Sequence, residues 1–224
     1  LKRWEKGDPQ TVDLWKRMNQ WVYDGFSETY RNFGMDFDVF YYESDTYKLG
    51  KDVIAAGMGK GVFVQDERGN SVYPLPEKQF GLEKNGSPKK VTVLRPDGTS
   101  LYITQDIGTA ILKVTQHNLD SSVYVVGSEQ EHHFKCLFSM LAALGYAWAS
   151  NCHHLSYGMV YLPEGKMKSR EGKVVDADDL IAGMVELAEE EIRRRDPERK
   201  LSDGEVRQRA AVIGTGAIKY YLLR

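Results

Sequence analysis

The stretch Ser122-Val123-Tyr124-Val125-Val126-Gly127-Ser128 decides how this chain folds. Its first five residues form a continuous apolar, β-branched run, the pattern of a strand buried on both faces. Gly127-Ser128 breaks the run, and apolar residues then recur at helical spacing from Glu129 to about Leu144, where Gly145 stops the helix. A second strand pattern, His153–Val160, is followed by a second helix pattern, Ala177–Arg195, whose apolar side carries Leu180, Ile181, Met184, Val185, Ala188 and Ile192. Strand, helix, strand and helix at this spacing predict an α/β fold with a parallel sheet and ligands at the carboxyl ends of its strands.

Toward the amino end the patterns are shorter. Asp8 caps a helix with Pro9 at its first position, and Trp15, Met18, Val22, Phe26 and Phe33 carry that helix to about residue 33. Asp38–Tyr42 reads as a short strand and Tyr47–Gly57 as a helix stopped by Gly57 and Gly59. Gly61–Gln65 and Ser71–Leu75 form an expected hairpin around Asp66–Asn70, and Val91–Leu94 with Ser100–Thr104 a second around Pro96-Asp97-Gly98. Residues 76–90 are polar and loop-like. Helices are expected from Asp106 to about His117, with Ile107, Ala110, Ile111 and Val114 on one face, and from about Asp203 to Arg224. No internal repeat occurs.

Composition narrows the functional classes. With 224 residues, 42% of them hydrophobic and 11% aromatic, the chain can bury one large core or two modest ones. Its net charge of −2 gives no global basic field, so a nucleic acid has to be gripped by local patches. Cys136 and Cys152 are its two cysteines, too few for a disulfide framework, which fits a reducing compartment. No apolar run approaches the roughly 20 residues of a membrane span, so no membrane partner is expected. The chain opens on Leu1-Lys2-Arg3-Trp4 and closes on Tyr221-Leu222-Leu223-Arg224 in a helical pattern, and is expected to be a piece of a longer protein.

Three stretches have the composition of a site. Lys166-Met167-Lys168-Ser169-Arg170 packs three cations into five positions ahead of Gly172 and Lys173. A basic, glycine-bounded loop suits a polyphosphate: it can close over it and offset developing negative charge. It suits a solvated surface loop equally. Gly127-Ser128-Glu129-Gln130 is a strand-to-helix turn whose free N–H groups and positive dipole end suit an anion, with His132 and His133 just beyond; as plain structure it is a turn and a cap. Tyr102-Ile103-Thr104-Gln105-Asp106 stands at another strand-to-helix transition. A phenol converging there with a carboxylate is a receptor for a cationic group, or else a helix cap beside a half-buried strand tyrosine. His132-His133, Cys136 and Cys152-His153-His154 are metal-type side chains. However, the second group lies in a strand whose neighbours point to opposite sides, and no CxxC or HExxH spacing appears, so no metal site is assigned.

Taken together and in order, these segments resemble the class I aminoacyl-tRNA synthetases, and within them the arginyl-tRNA synthetases. Tyr102-Ile103-Thr104-Gln105-Asp106-Ile107 resembles that family's Tyr-x-x-x-Asp-Ile element. Val125-Val126-Gly127-Ser128-Glu129-Gln130, with His133 three further on, resembles its Val-Val-Gly-x-x-Gln-x-x-His element. Gly158-Met159-Val160 through Gly172 resembles its mobile Lys-Met-Ser-Lys-Ser loop. Gly7-Asp8-Pro9, Phe37-Asp38-Val39 with Glu43-Ser44, and Gly214-Thr215-Gly216-Ala217-Ile218-Lys219-Tyr220 also fit.

The resemblance implies the fold class α/β with a Rossmann-like parallel sheet, an incomplete catalytic core with an inserted hairpin region and a C-terminal helical extension. The implied division is 1–90 as a connective region, 91–175 as the second half of the nucleotide fold and 176–224 as the helical extension. It implies an ATP-dependent ligase that joins arginine to tRNA(Arg) through arginyl-adenylate, with magnesium accompanying ATP, in a cytoplasmic and monomeric full-length protein. By the same resemblance Asp106 and Tyr102 hold the arginine guanidinium, Gln130 supports the amino-acid site, and Glu43 is a second carboxylate. His133 and Gly158-Met159-Val160 flank the adenosine, while Lys166, Lys168 and Arg170 stabilise the transferring phosphate.

Two departures from the family pattern stand out. The His-x-Gly-His nucleotide motif does not occur, so this piece alone is expected to be inactive, and Ser169 stands where the loop's second lysine is usual. The competing readings are a sister class I synthetase, such as the cysteine or glutamine enzyme, a non-catalytic nucleotide- or tRNA-binding paralogue, and a generic nucleotidyltransferase.

Overall fold

The computed structural model describes residues 2–159, 161–162, 165–166, 175–198 and 200–223. Its elements are α1 (Lys2–Glu5), α2 (Pro9–Asn32), α3 (Glu43–Thr46), α4 (Lys51–Gly59), β1 (Val64–Gln65), β2 (Ser71–Pro74), α5 (Glu77–Phe80), β3 (Lys90–Leu94), α6 (Tyr102–His117), β4 (Ser122–Gly127), α7 (Glu131–Ala143), β5 (Cys152–Tyr157), β6 (Tyr161–Leu162), β7 (Gly165–Lys166), α8 (Ala177–Arg195) and α9 (Asp203–Leu223). They fall into two compact units, Phe40–Val160 and a second made of Leu1–Val39 with Tyr161–Arg224. No helix among the described residues is long and apolar enough to cross a membrane.

The expected βαβ unit is present in Phe40–Val160. Strands β4 and β5 pair in parallel from Ser122↔Cys152 to Gly127↔Tyr157, and α7 returns the chain between them. Helix α7 buries Phe134, Cys136, Leu137, Met140 and Leu141. It ends where the sequence indicates: Gly145 takes φ +97° while Tyr146 N–H and Gly145 N–H donate to the Leu141 and Ala142 carbonyls. That arrangement satisfies two otherwise orphaned carbonyls and needs a residue without a Cβ. One expectation fails here. Val123 and Val125 are 57% and 62% exposed, and Leu155 and Tyr157 beside them are exposed as well. Only alternate residues of β4 face α7, so the apolar run is covered on one face and bare on the other.

The rest of this unit is a small antiparallel sheet, β1-β2-β3, packed against α4, α6 and α7. Ile54, Phe63, Tyr73, Val93, Ile107, Leu137 and Leu141 form its centre, each fully or nearly fully buried. Burying one such side chain contributes about 1.5–3 kcal/mol. The first expected hairpin is β1–β2, with Asp66 accepting from the Arg68 and Asn70 backbone. The second closes for one pair only, Leu94↔Ser100, and then the chain turns into α6 at Tyr102. The β-prone Tyr102-Ile103-Thr104 is helical because its apolar period is that of a helix, burying Ile103, Ile107 and Ala110 on one side. Residues 38–42 belong to none of the sheets, and the helix expected over Tyr47–Gly57 starts only at Lys51, after Gly50 at φ +97°, as α4. Residues 76–90 are not all loop, since α5 lies within them.

Gly50 also sets how α6 packs. A Cβ there would stand 1.9 Å from the Thr104 carbonyl oxygen, and one on Gly108 would stand 2.5 Å from the Gly50 nitrogen. Backbone lies on backbone at this crossing. The buried Thr104 hydroxyl donates to the Val93 carbonyl at 2.5 Å and Leu101 N–H donates to the same oxygen at 3.2 Å, which joins the start of α6 to β3.

The second unit is helical. Asp8 caps α2 as expected, its carboxylate accepting from Thr11 N–H at 3.0 Å with Pro9 next in line. The apolar face of α2 remains open: Met18, Val22 and Phe26 are exposed, and no described residue of the helix is buried. Helix α9 starts on a reciprocal capping box, Ser202 N–H to Glu205 Oε2 and Glu205 N–H back to Ser202 Oγ. It buries Val206, Ala210, Gly214 and Ile218, one residue per turn, and Gly214 lets it lie against α8, where a Cβ would stand 2.8 Å from Val185 N.

Two stability predictions follow from this packing. Gly50→Ala combines a disfavoured φ with overlap on Thr104 and is expected to cost about 3 kcal/mol or more, seen as a lowered denaturant midpoint. Gly183→Ala in α8, where a Cβ meets nothing within 4 Å, is expected to be neutral or stabilising by up to about 1 kcal/mol. Titration provides a separate check. Burial pushes the Tyr124 hydroxyl from 10.0 up to about 12. The folded state therefore keeps this proton longer than the unfolded chain, and the stability it contributes below pH 10 is lost as pH rises toward about 12. Tyr124→Phe should flatten that alkaline decline in unfolding free energy, and an unchanged slope would contradict it.

Candidate functional site

The residues expected to bind a ligand come from the first turns of two helices. Tyr102 and Asp106 do not converge across a strand end. They sit four apart on α6, one turn above the other on one face. Tyr102 is 74% exposed, presenting its ring outward. The carboxyl end of β4 passes through a short 3-10 turn, Ser128–Gln130, into α7, so Gln130 stands at the N-cap position of that helix. Beside it β5 ends at Tyr157, and the following Met159 brings its sulfur to 3.7 Å from where a Gly127 Cβ would be. Gln130 and Gly158-Met159 thus emerge from the carboxyl ends of neighbouring parallel strands, the place where such sheets take ligands.

One contact was not apparent from the sequence pattern. His133, in the first turn of α7, bonds through Nε2 to Asp106 Oδ2 at 2.6 Å. A carboxylate can only accept, so the imidazole N–H donates. The side chains are 25% exposed for His133 and 45% for Asp106, which leaves the carboxylate the more open partner. The His133 ring meets Phe134 edge-on, centroids 5.6 Å apart.

Behind this pair Lys113 lies two turns further along α6, its ammonium 4.1 Å from the centre of the Tyr124 ring. Burial pushes Lys113 below the usual lysine range, against the opposing pull of Cys152 and Asp106. The i, i+7 spacing of Asp106 and Lys113 was available in the sequence as a shared helix face.

A cavity of about 380 Å³ opens beside Tyr102 and His133, lined also by Val91, Leu101, Glu129, His132 and Cys136. His132 and Cys136 are in contact, Nε2 to Sγ 3.5 Å, and His132 meets Phe80 edge-on. Among the described residues no group of three or more His, Cys, Asp or Glu side chains is placed to hold a metal ion.

Of the other expected site residues, Glu43 is not joined to this cluster. Glu43 begins α3, exposed to solvent, and makes no hydrogen bond or ion pair with Tyr102, Asp106 or Gln130. Lys166 lies in β7, whose backbone pairs with Tyr161 of β6, but its side chain is outside the described residues. Val160, Lys168 and Arg170 also lie outside the described residues.

With this geometry in view, comparison with known proteins is decisive. Residues 1–224 match the family described as tRNA synthetases class I (R), catalytic domain. The chain belongs to this family. The arginine–tRNA ligase of Flavobacterium psychrophilum is 50% identical over 225 residues, and that of Porphyromonas gingivalis 46% over 224; each match takes in 100% of this chain and 36% of the relative. The chain thus spans little more than a third of the length of these relatives. Among solved structures it is similar to the Thermus thermophilus arginyl-tRNA synthetase, with a TM-score of 0.74 over 98% of this chain and 43% of that one at 18% identity. The Plasmodium falciparum arginyl-tRNA synthetase gives 0.75 over 98% of this chain and 35% of that one at 16% identity. At those identities the structures speak for the fold, and the α/β architecture expected from the strand–helix order and from the family resemblance is the one present.

The two thiols of this synthetase domain are the residues whose reactivity the structure constrains. Burial pushes both Cys136 and Cys152 up from the ordinary thiol range, for Cys152 against the opposing effect of Lys113. Little thiolate forms at neutral pH, so alkylation with iodoacetamide is expected to modify neither in the native state and both after denaturation. Rapid native modification of Cys136 would show that the cavity wall opens.

Proposed function

We propose that the protein containing this chain is an arginine–tRNA ligase, and that Tyr102, Asp106 and Gln130 form the amino-acid side of its active site. One observation carries this reading. Asp106 is a carboxylate nearly half exposed, stacked one turn from an outward-facing phenol, beside the carboxyl ends of two parallel strands. A planar guanidinium bonds two carboxylate oxygens in parallel, which an ammonium cannot do, so this pair favours arginine over lysine. The identity to named arginine–tRNA ligases supports the same substrate. Glu43 is a second carboxylate for the amino-acid site in this proposal.

The chemistry proceeds in two displacements. An oxygen of the arginine carboxylate forms a bond to the α-phosphorus of ATP while the bridging P–O bond breaks and pyrophosphate leaves. A ribose hydroxyl of the terminal adenosine of tRNA(Arg) then attacks the arginyl carbonyl, and AMP leaves. Neither step needs a nucleophilic side chain, so catalysis rests on position and on charge stabilisation. Gly158, Met159 and Val160 lie along the adenosine, with His133 nearby, while Lys166, Lys168 and Arg170 meet the α-phosphate and the departing pyrophosphate. Magnesium enters as part of the ATP substrate, bound by its phosphates. The free thiols agree with a cytoplasmic setting.

Arginine-dependent ATP–pyrophosphate exchange by the full-length protein tests the proposal. Asp106→Ala is expected to raise the KM for arginine at least about tenfold with the KM for ATP near wild type. Lys166→Ala or Lys168→Ala is expected to slow exchange by about a hundredfold in kcat without lowering the unfolding midpoint. Exchange supported by cysteine or glutamine in place of arginine would move the protein to another synthetase specificity, and wild-type rates in both lysine variants would remove the loop from the chemistry.

A further inference from the structure

The proposed guanidinium-binding carboxylate, Asp106, is hydrogen-bonded by a residue of the next helix, His133. We propose that His133 is a positioning residue for arginine: through Nε2–H it fixes the Asp106 carboxylate in the orientation that receives the guanidinium. The inference rests on the reading of Asp106 as the arginine carboxylate, and it moves His133 from flanking the adenosine to supporting the amino-acid pocket.

The contact has the form of a holder and a held group. At 2.6 Å it is at the short end for an N–H donor and a carboxylate. The donor is the less exposed partner, 25% against 45% for Asp106. Its ring is braced edge-on by Phe134, which is itself buried and packs against Tyr124, Phe138 and His154. The two residues come from different helices, and each helix is anchored independently of the contact. Thr104 and the Gly50–Gly108 crossing fix α6, while Cys136, Leu137 and Met140 fix α7. The hydrogen bond therefore joins two rigid supports and does not hold the helices in place.

A surface aspartate without such a partner samples several rotamers, and ordering it is a cost that falls on ligand binding. A carboxylate offers about four lone-pair sites, so donating one N–H to Oδ2 leaves acceptors for both donors of a planar guanidinium. Lys113 adds positive potential from below, but its ammonium lies over the Tyr124 ring and makes no hydrogen bond to Asp106. The imidazole is the group that sets the direction of the carboxylate.

The test is arginine titration of ATP–pyrophosphate exchange in the full-length protein, with ATP titrated in parallel and thermal unfolding recorded for each variant. His133→Ala is expected to raise the KM for arginine about ten- to a hundredfold, with the KM for ATP and the unfolding midpoint near wild type. His133→Gln keeps an N–H donor at the reach of Nε2 and is expected to restore the arginine KM to within about threefold of wild type. An unchanged arginine KM in His133→Ala overturns the proposal. So does a rise confined to the ATP KM, which returns His133 to the adenosine, and so does equal loss in the Ala and Gln variants. A wild-type protein that shows no arginine-dependent exchange with tRNA(Arg) present removes the substrate reading and this inference with it, a result distinct from any of the variant outcomes.

Discussion

Helix α6 meets its neighbours through a crossing in which backbone lies directly on backbone. Gly108 lies against Leu49 and Gly50, Gly50 lies against the Thr104 carbonyl, and the buried Thr104 hydroxyl closes on Val93. At this crossing the two segments lie too close for an added methyl group. The candidate site depends on this crossing, because Tyr102 and Asp106 are carried by the same two turns. Their aim follows from the seating of α6, which buried backbone and β3 determine without any contribution from the exposed residues themselves. The same device recurs where Gly214 of α9 lies on the Met184–Val185 backbone of α8. Close packing of this kind tolerates little volume change and gives a single arrangement.

The second support is the βαβ unit. Parallel pairing of β4 with β5 brings two chain reversals to one end, one leading through Ser128–Gln130 into α7 and the other leading to Gly158-Met159. Because α7 starts at that end, His133 in its first turn reaches Asp106 on α6. The proposed amino-acid side of the site is thus a meeting of helix starts, where exposed polar groups cost little and the apolar residues that fold the protein are used one turn deeper.

Much of this was legible in the chain. The order of strand and helix from Ser122 to Arg195 gave the parallel α/β class, and Gly145, Asp8 and Pro9 marked helix ends through conformations and caps that few other residues supply. The errors have physical causes. Tyr102-Ile103-Thr104 has strand-forming side chains, and only the burial of Ile103, Ile107 and Ala110 together makes it helical. Val123 and Val125 are apolar without being buried, because apolar composition does not say which faces have a neighbour. Residues 38–42 are in no sheet, since strand-forming composition cannot supply a partner strand. In the site, the residue types and their order were readable. The His133–Asp106 contact was not, since 27 residues separate the pair and two helices have to be docked before they meet.

The stripe on α6 has a consequence for how this sequence can change over time. Tyr102 and Asp106 fall on one side of the helix and Ile103, Thr104, Ile107 and Gly108 on the other, so adjacent codons answer to different demands. Drift at one set is limited by what the proposed ligand requires, and drift at the other by what the crossing will admit. If Tyr102 and Asp106 bind the substrate as proposed, a change of preference can arise there without first passing through an unfolded intermediate, and the scaffold is free to be retained while its specificity diverges.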